Sequence, residues 1–218
     1  MVGRGLLITF EGIDGAGKST QAQALAEALG ARGLPVVTTY EPGATKLGAT
    51  LRPILLAGDL PLGTEAELLL FLADRADHVQ QIIEPALAAG QIVLCDRFID
   101  STLAYQGYGK QAELDRLVRW NTDCSGGLIP DLTLLLDCPV GEGARRRQRA
   151  TDRYQRRNGN YHERVRQGFL TLAAAEPERI HVINSAVDLA ELTATVTNTV
   201  IAWLSARGQP GRDGHGDA

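Results

Sequence analysis

Residues Phe10 to Gln21 read FEGIDGAGKSTQ, with Gly12, Gly15 and Gly17 set ahead of Lys18, Ser19 and Thr20. They follow an apolar run, LLITF (6–10), and lead into TQAQALAEALGARG (20–33), whose leucines and alanines recur at helical spacing and stop at glycine. Gly12 to Ser19 is thus G-x-x-x-x-G-K-[ST] in the strand-to-helix setting that gives the pattern meaning. Glycines let the backbone curl with its N–H groups inward, and the next helix adds its positive end. Together they make a cup for a polyphosphate. On this reading Gly12, Ile13, Asp14, Gly15, Ala16, Gly17, Lys18, Ser19 and Thr20 bind a nucleoside triphosphate, ATP being the candidate. Lys18 puts a point charge on the outer phosphates, and Ser19, with Asp96, is a candidate ligand of the bridging Mg2+.

The rest of the chain fits a sheet built around that loop. PVVTTY (35–40), IVLC (92–95), LTLLLD (132–137) and IHVI (180–183) are short, almost continuously apolar runs, as expected of strands buried on both faces. Between them AELLLFLADRADHVQQIIEPALAAG (66–90) predicts a long helix or a bent pair, with Pro85 as a break or a first-turn proline. Strand and helix alternate throughout, the mark of a doubly wound α/β sheet with helices on both faces. One domain is expected over residues 1–207, and GQPGRDGHGDA (208–218) reads as a disordered tail.

Charge and cysteine content narrow the partners. A formal charge of -4 argues against a protein that coats nucleic acid. Cys95, Cys124 and Cys138 have neither disulfide-framework nor zinc spacing, so they read as reduced thiols. The N-terminus lacks a signal-peptide pattern and no run reaches membrane-spanning length. A cytoplasmic protein without a membrane partner is expected.

The loop alone leaves the reaction open, since many chemistries share it. No N-K-x-D stretch is present to read guanine, and Asp96 is followed by Arg97 where a hydrolytic ATPase more often has a second carboxylate. An arginine there points to a second anion. FEGIDGAGKST, EPGAT (41–45), DRFIDSTLAYQG (96–107), PDLTLLLD (130–137) and DRY (152–154) resemble, in order and spacing, the thymidylate kinases among the P-loop nucleoside monophosphate kinases. That resemblance runs from about Leu6 to about residue 204. It implies a five-stranded parallel sheet of P-loop NTPase type, γ-phosphoryl transfer from MgATP to dTMP giving dTDP and ADP, and a homodimer. A P-loop deoxynucleoside kinase, another nucleoside monophosphate kinase and a non-catalytic ATP sensor are the alternatives.

The resemblance also assigns residues. Arg97 reaches the acceptor phosphate and the transferring group, with a structural ion pair to Asp96 or Glu41 as the alternative. Asp14 faces the acceptor, Glu41 and Pro42 lie at the ligand edge, and Arg52 binds the monophosphate. Phe71 and Arg75, four apart on one helical face, stack on thymine and bond its O4, unless Phe71 is only core. Ser101, Thr102, Tyr105 and Gln106 line the same pocket, with Tyr105 packed where a 2′-hydroxyl would sit. Residues 143–159 carry seven arginines and resemble a lid. Because positions 13–16 contain no arginine, the transition-state charge is expected from that lid, through Arg153 first and Arg149 next. Two departures stand out: Ala44 where the family more usually has glycine, and Gln155 where it commonly has glutamate.

Overall fold

The computed structural model describes residues 4–57, 60–146, 152–155, 157 and 159–208. Alternation along the first strand sets the layers. In β1 (Leu6–Glu11), Leu6, Ile8 and Phe10 turn toward one core and Leu7 toward another, because successive side chains point to opposite faces. The first core gathers Leu25 and Leu29 of α1 (Lys18–Gly30), Val165 and Phe169 of α8 (Gly159–Ala175), and Val196 and Val200 of α9 (Leu189–Ala206). The second is made with Val79, Ile83 and Leu87, and with Val93 and Cys95 of β3 (Ile92–Asp96). Helices therefore cover both faces.

With β2 (Val36–Tyr40), β4 (Leu132–Asp137) and β5 (Ile180–Asn184), the strands form a five-stranded all-parallel sheet in the order β2-β3-β1-β4-β5. Phe10 and Tyr40 both register with Asp96. The loops after β1, β2 and β3 thus leave the sheet side by side at its carboxyl edge, where open α/β sheets bind ligands. Burial on both faces holds for β1, β3 and β4 but not for β2 and β5, the two edge strands, where Tyr40 and Val182 are about half exposed.

The long helical pattern resolves as α3 (Thr64–His78), a π-helical turn over Val79–Ile83, and α4 (Glu84–Ala88) with Pro85 in its first turn. Proline supplies no N–H and its ring crowds the carbonyl four residues back. Here the wider turn, with Glu84 N–H bonded to Val79 O, absorbs that conflict without breaking the rod. A second π-helical stretch, Leu103–Gly109, extends α5 (Ile99–Thr102) and carries Tyr105 and Gln106. The remaining helices are α2 (Lys46–Leu56), α6 (Leu114–Cys124) and α7 (Val140–Arg146).

Candidate active site

The glycine loop curls as its residue types require. Gly12, Gly15 and Gly17 have φ of 132°, 86° and 98°, a region costly for any side chain. A Cβ on Gly15 would also stand 2.3 Å from the Gly143 carbonyl oxygen, and one on Gly143 would meet Asp14 O at 2.7 Å. α7 is thereby a backstop for the loop, which the sequence did not advertise. Gly143→Ala is expected to push the two apart at a cost of about 1–3 kcal/mol. The measurable result is roughly tenfold weaker binding of an ATP analogue in calorimetry with little loss of helix content.

Lys18 turns back to donate to Ile13 O at 3.0 Å. Burial, with the Arg97 charge nearby, lowers its pKa to about 8. Ser19 Oγ donates to Asp96 Oδ2 in a short contact, while Asp96 Oδ1 is buried with no hydrogen-bond partner among the described residues. The two candidate metal ligands are therefore adjacent, with one buried carboxylate oxygen still to be satisfied.

Arg97 leaves β3 with φ at 72°, a strained value for a residue with a Cβ. Its Nη2 lies 2.5 Å from Asp14 Oδ1, and Nη1 donates to Gly12 O and Ser101 Oγ at 3.2 Å each. The guanidinium stands 5.0 Å over the Tyr105 ring. Its ion-pair partner is Asp14, rather than Asp96 or Glu41. Behind it lies Glu11, wholly buried, which accepts the N–H groups of Phe98 (2.7 Å) and Ser101 (3.2 Å) and the Ser101 hydroxyl (2.6 Å). Burial and the Asp100 charge push Glu11 up to about 7. Glu11 thus anchors the start of α5 to the end of β1 and aims Ser101 at Arg97.

Glu41 organises the other end. Its Oε2 receives Arg75 Nε and Nη2 at 3.0 and 2.8 Å, and its Oε1 pairs with His78 Nδ1 at 2.9 Å. Burial alone would raise the Glu41 pKa, but Arg75 and His78 outweigh it and hold the carboxyl below its ordinary value. Arg75 also donates to Phe98 O, Thr102 Oγ1 and Asn121 Oδ1, at 2.9, 2.8 and 2.5 Å. All the N–H donors of this guanidinium are then engaged by protein acceptors. Asp74 Oδ1 receives the Gly43 N–H at 3.0 Å and so fixes the turn after β2. Burial and the Glu41 charge push Asp74 up to about 6.

A single cleft of about 740 Å³ joins the two ends. Its wall runs from Asp14, Gly15, Gly17, Lys18, Ser19 and Thr20, past Asp96, Arg97, Ser101, Thr102, Tyr105 and Gln106, to Glu41, Pro42, Arg52, Phe71 and Arg75. Gly12, Ile13 and Ala16 form the buried back of the loop. Arg52 is exposed, bonded to Pro42 O, and stands 5.4 Å over the Tyr40 ring. Phe71 is half-buried: it packs on the core and lines the cleft at once, so the two readings of it are compatible. The Tyr105 hydroxyl is buried there, and no hydrogen bond to it is found among the described residues.

Arg153 departs from expectation. It is not in the cleft wall; its N–H bonds Leu56 O at 3.0 Å, its Nη2 bonds Leu60 O at 2.7 Å, and Nη1 lies 3.6 Å from Glu67. Carbonyls at the open end of α2 and a buried carboxylate draw it away from the glycine loop. Its neighbours Asp152, Tyr154 and Gln155 line the cleft instead. Arg149, with Arg147, Arg156 and the tail from residue 209, lies outside the described residues. Sequence reasoning also missed Glu11, Asp74, His78 and Asn121. A lone acid closing an apolar strand, and Asp74 and His78 flanking Arg75 on one helix, were the available signals.

Comparison with known proteins agrees with this layout. The family model "Thymidylate kinase" matches residues 10–196. The chain belongs to the thymidylate kinase family. It is 48% identical over 216 residues to the thymidylate kinase of Desulfovibrio desulfuricans, covering 94% of this chain and 99% of that protein. Against the Synechococcus sp. (strain JA-2-3B'a(2-13)) thymidylate kinase it is 50% identical over 195 residues, covering 89% and 94%. The crystal structure of thymidylate kinase from Ehrlichia chaffeensis superposes with a TM-score of 0.73 at 37% identity, covering 92% of this chain and 99% of that one. Within this thymidylate kinase family member, Ala44 is not among the positive-φ residues, so alanine is accommodated there without backbone strain. Gln155 sits in the cleft wall and brings an amide rather than a charge.

Proposed function

We propose that this chain transfers the γ-phosphoryl group of MgATP to the 5′-phosphate of dTMP, giving dTDP and ADP. The observation that carries the reading is the continuity of one cleft of about 740 Å³ from Lys18 through Arg97 to Arg75 and Phe71, in which a donor and an acceptor would lie head to head. Family membership supports it. Bringing two anions together is the obstacle, so catalysis rests on positioning and on positive charge.

The glycine loop and Lys18 hold the donor phosphates. Arg97, pre-set by Asp14 and Ser101, exchanges Asp14 for phosphate oxygens at the junction of the two nucleotides. Arg52 reaches the acceptor phosphate from the far side. Phe71 offers its face to the base, and Arg75 trades one protein acceptor, Thr102 or Asn121, for the thymine O4. Cytosine presents a donor at that place and would leave the guanidinium facing an amino group. Tyr105 packs on the sugar. Ser19 and Asp96 would hold Mg2+, the unsatisfied Asp96 Oδ1 being the structural sign of the fit. Bound there, the cation supplies charge neutralisation across the phosphates. Arg153 and Arg149 contribute from the lid, Arg153 by first releasing Leu60 and Glu67.

A coupled assay with MgATP should show ADP formation that depends on dTMP. ADP released at the same rate without dTMP would contradict the reading. Lys18 adds a signature of its own. A triphosphate favours the ammonium form, so binding raises a pKa that starts at about 8. Affinity is therefore flat below that pH, falls by up to about tenfold per pH unit above it, and binding takes up a proton there. Calorimetry of an ATP analogue in buffers of different ionisation enthalpy reads that uptake; no uptake above pH 8 would place Lys18 away from the phosphates.

The reading extends to organisation. Residues 1–207 are one kinase domain with a lid at 143–159, working in the cytoplasm as a homodimer with its three cysteines reduced. In support, the cysteines are free, no helix among the described residues is long and apolar enough to cross a membrane, and Leu69 of α3 and Val118 of α6 are about half exposed. Sedimentation at assay concentration reads the dimer.

A further inference from the structure

Glu67, in the first turn of α3, is buried, and its hydrogen bonds and ion pairs among the described residues go to Lys110, Tyr154 and Arg153. One of its oxygens accepts from Lys110 Nζ and from the Tyr154 hydroxyl, and the other lies 3.6 Å from Arg153 Nη1. Four separate parts of the chain meet on this carboxylate: α3, the end of the second π-helical stretch, the turn 152–155 and, through Arg153, the carbonyls that follow α2. A buried carboxylate persists only when charge and hydrogen bonds offset its lost hydration. Burial pushes Glu67 up, but Lys110 and the Tyr154 hydroxyl outweigh it and hold it below the ordinary carboxylate value.

Tyr154 faces the cleft as well. Its ring meets Phe71 edge-on at 6.0 Å and Tyr105 at 5.9 Å, the two aromatic surfaces assigned above to base and sugar. Gln106 Nε2 donates to its hydroxyl at 3.4 Å, and Lys110 Nζ stands 5.6 Å over its ring. The turn itself is fixed locally, since Asp152 Oδ1 receives the N–H groups of Tyr154 and Gln155 at 2.9 Å each. Hydroxyl and ring therefore do different things: one grips Glu67, the other closes the acceptor end.

We propose that Glu67 is a positioning residue that, through the Tyr154 hydroxyl, seats the 152–155 turn against Phe71 and Tyr105 and so couples that turn to occupancy of the acceptor end. This rests on the reading of that end as the monophosphate pocket. Tyr154→Phe keeps both ring contacts and deletes the grip on Glu67, together with the longer contact from Gln106 Nε2. Glu67→Gln keeps the shape and deletes the charge.

Trypsin cleavage after Arg153 and Arg157 in the ligand-free protein is the first readout. Tyr154→Phe should be cut about tenfold faster or more, the factor that follows from losing a hydrogen bond to a charged group. Cleavage at the wild-type rate would overturn the proposal. Steady-state kinetics are the second readout: Tyr154→Phe and Glu67→Gln should raise KM for dTMP about tenfold while kcat stays within about twofold. A fall in kcat with KM for dTMP unchanged would also overturn it. Should Glu67→Gln misfold, Tyr154→Phe alone carries both tests. Absence of dTMP turnover in the wild-type protein would count against the substrate assignment, while the proteolysis of ligand-free protein would still decide whether the turn is held by Glu67.

Discussion

Arg97→Ala is expected to lower kcat/KM for dTMP phosphorylation by about a thousandfold, the range seen when a phosphate-clamping cation is removed from a phosphoryl-transfer site. The expectation follows from its place. Arg97 sits between the glycine loop, which it touches at Gly12 O and Asp14, and Ser101 on the other side of the cleft, so it is a cation of the cleft wall that bridges both halves. Its φ of 72° provides an internal control. Arg97→Ala and Arg97→Gly lose the same side-chain contacts, but only glycine adopts that conformation freely. The glycine variant should be more stable than the alanine variant by about 1 kcal/mol while being equally inactive. Chemical denaturation and turnover measured on the pair separate strain from chemistry. Equal stability would mean that the strained backbone belongs to the neighbours rather than to residue 97, and retained turnover in either variant would remove Arg97 from the mechanism.

Glu41→Ala should have the largest effect on stability. It leaves Arg75 buried without its main counter-charge and deprives His78 Nδ1 of its partner, and removing one member of a buried pair typically costs about 3–5 kcal/mol. For a chain of this size that corresponds to a Tm lower by roughly 10 °C. Discrimination between dTMP and dCMP should fall with it, because Arg75 is aimed by Glu41 from one side and by Thr102 and Asn121 from the other. A Tm within about 2 °C of wild type would show that water reaches Arg75 readily and that the network is looser than its distances suggest.

Much of this architecture was legible because it is dictated locally. The glycine loop, the five apolar runs and the helix beginning at Lys18 each carry their signal within a dozen residues, and the strands appear where the runs predict them. Pro85 was recognisable as a disturbance, but whether it breaks the rod depends on how a π-helical turn packs Val79 and Ile83 against β3, which no local pattern encodes. The edge strands looked as apolar as the central ones; their exposure follows from sheet order, a long-range property. In the site, residues expected to meet phosphate from their charge and spacing were readable, and the structure places Lys18, Arg97, Arg75 and Phe71 in one cleft. The supporting groups were not. Glu11, Asp74, His78 and Asn121 are ordinary letters until the fold brings Phe98, Gly43, Glu41 and Arg75 to them. Arg153 shows the converse: the right residue type in a suggestive segment, held by Glu67 and the carbonyls of Leu56 and Leu60 that lie far from it in sequence.

A competition in one vessel decides whether dTMP is the acceptor. Equimolar dTMP, dUMP, dCMP, dGMP, dAMP and thymidine are incubated with limiting MgATP and the purified protein, and the products are separated by chromatography. dTDP should form first and dominate, with dCDP essentially absent and thymidine left unphosphorylated. Faster formation of any other diphosphate, or phosphorylation of thymidine itself, would contradict dTMP as the acceptor.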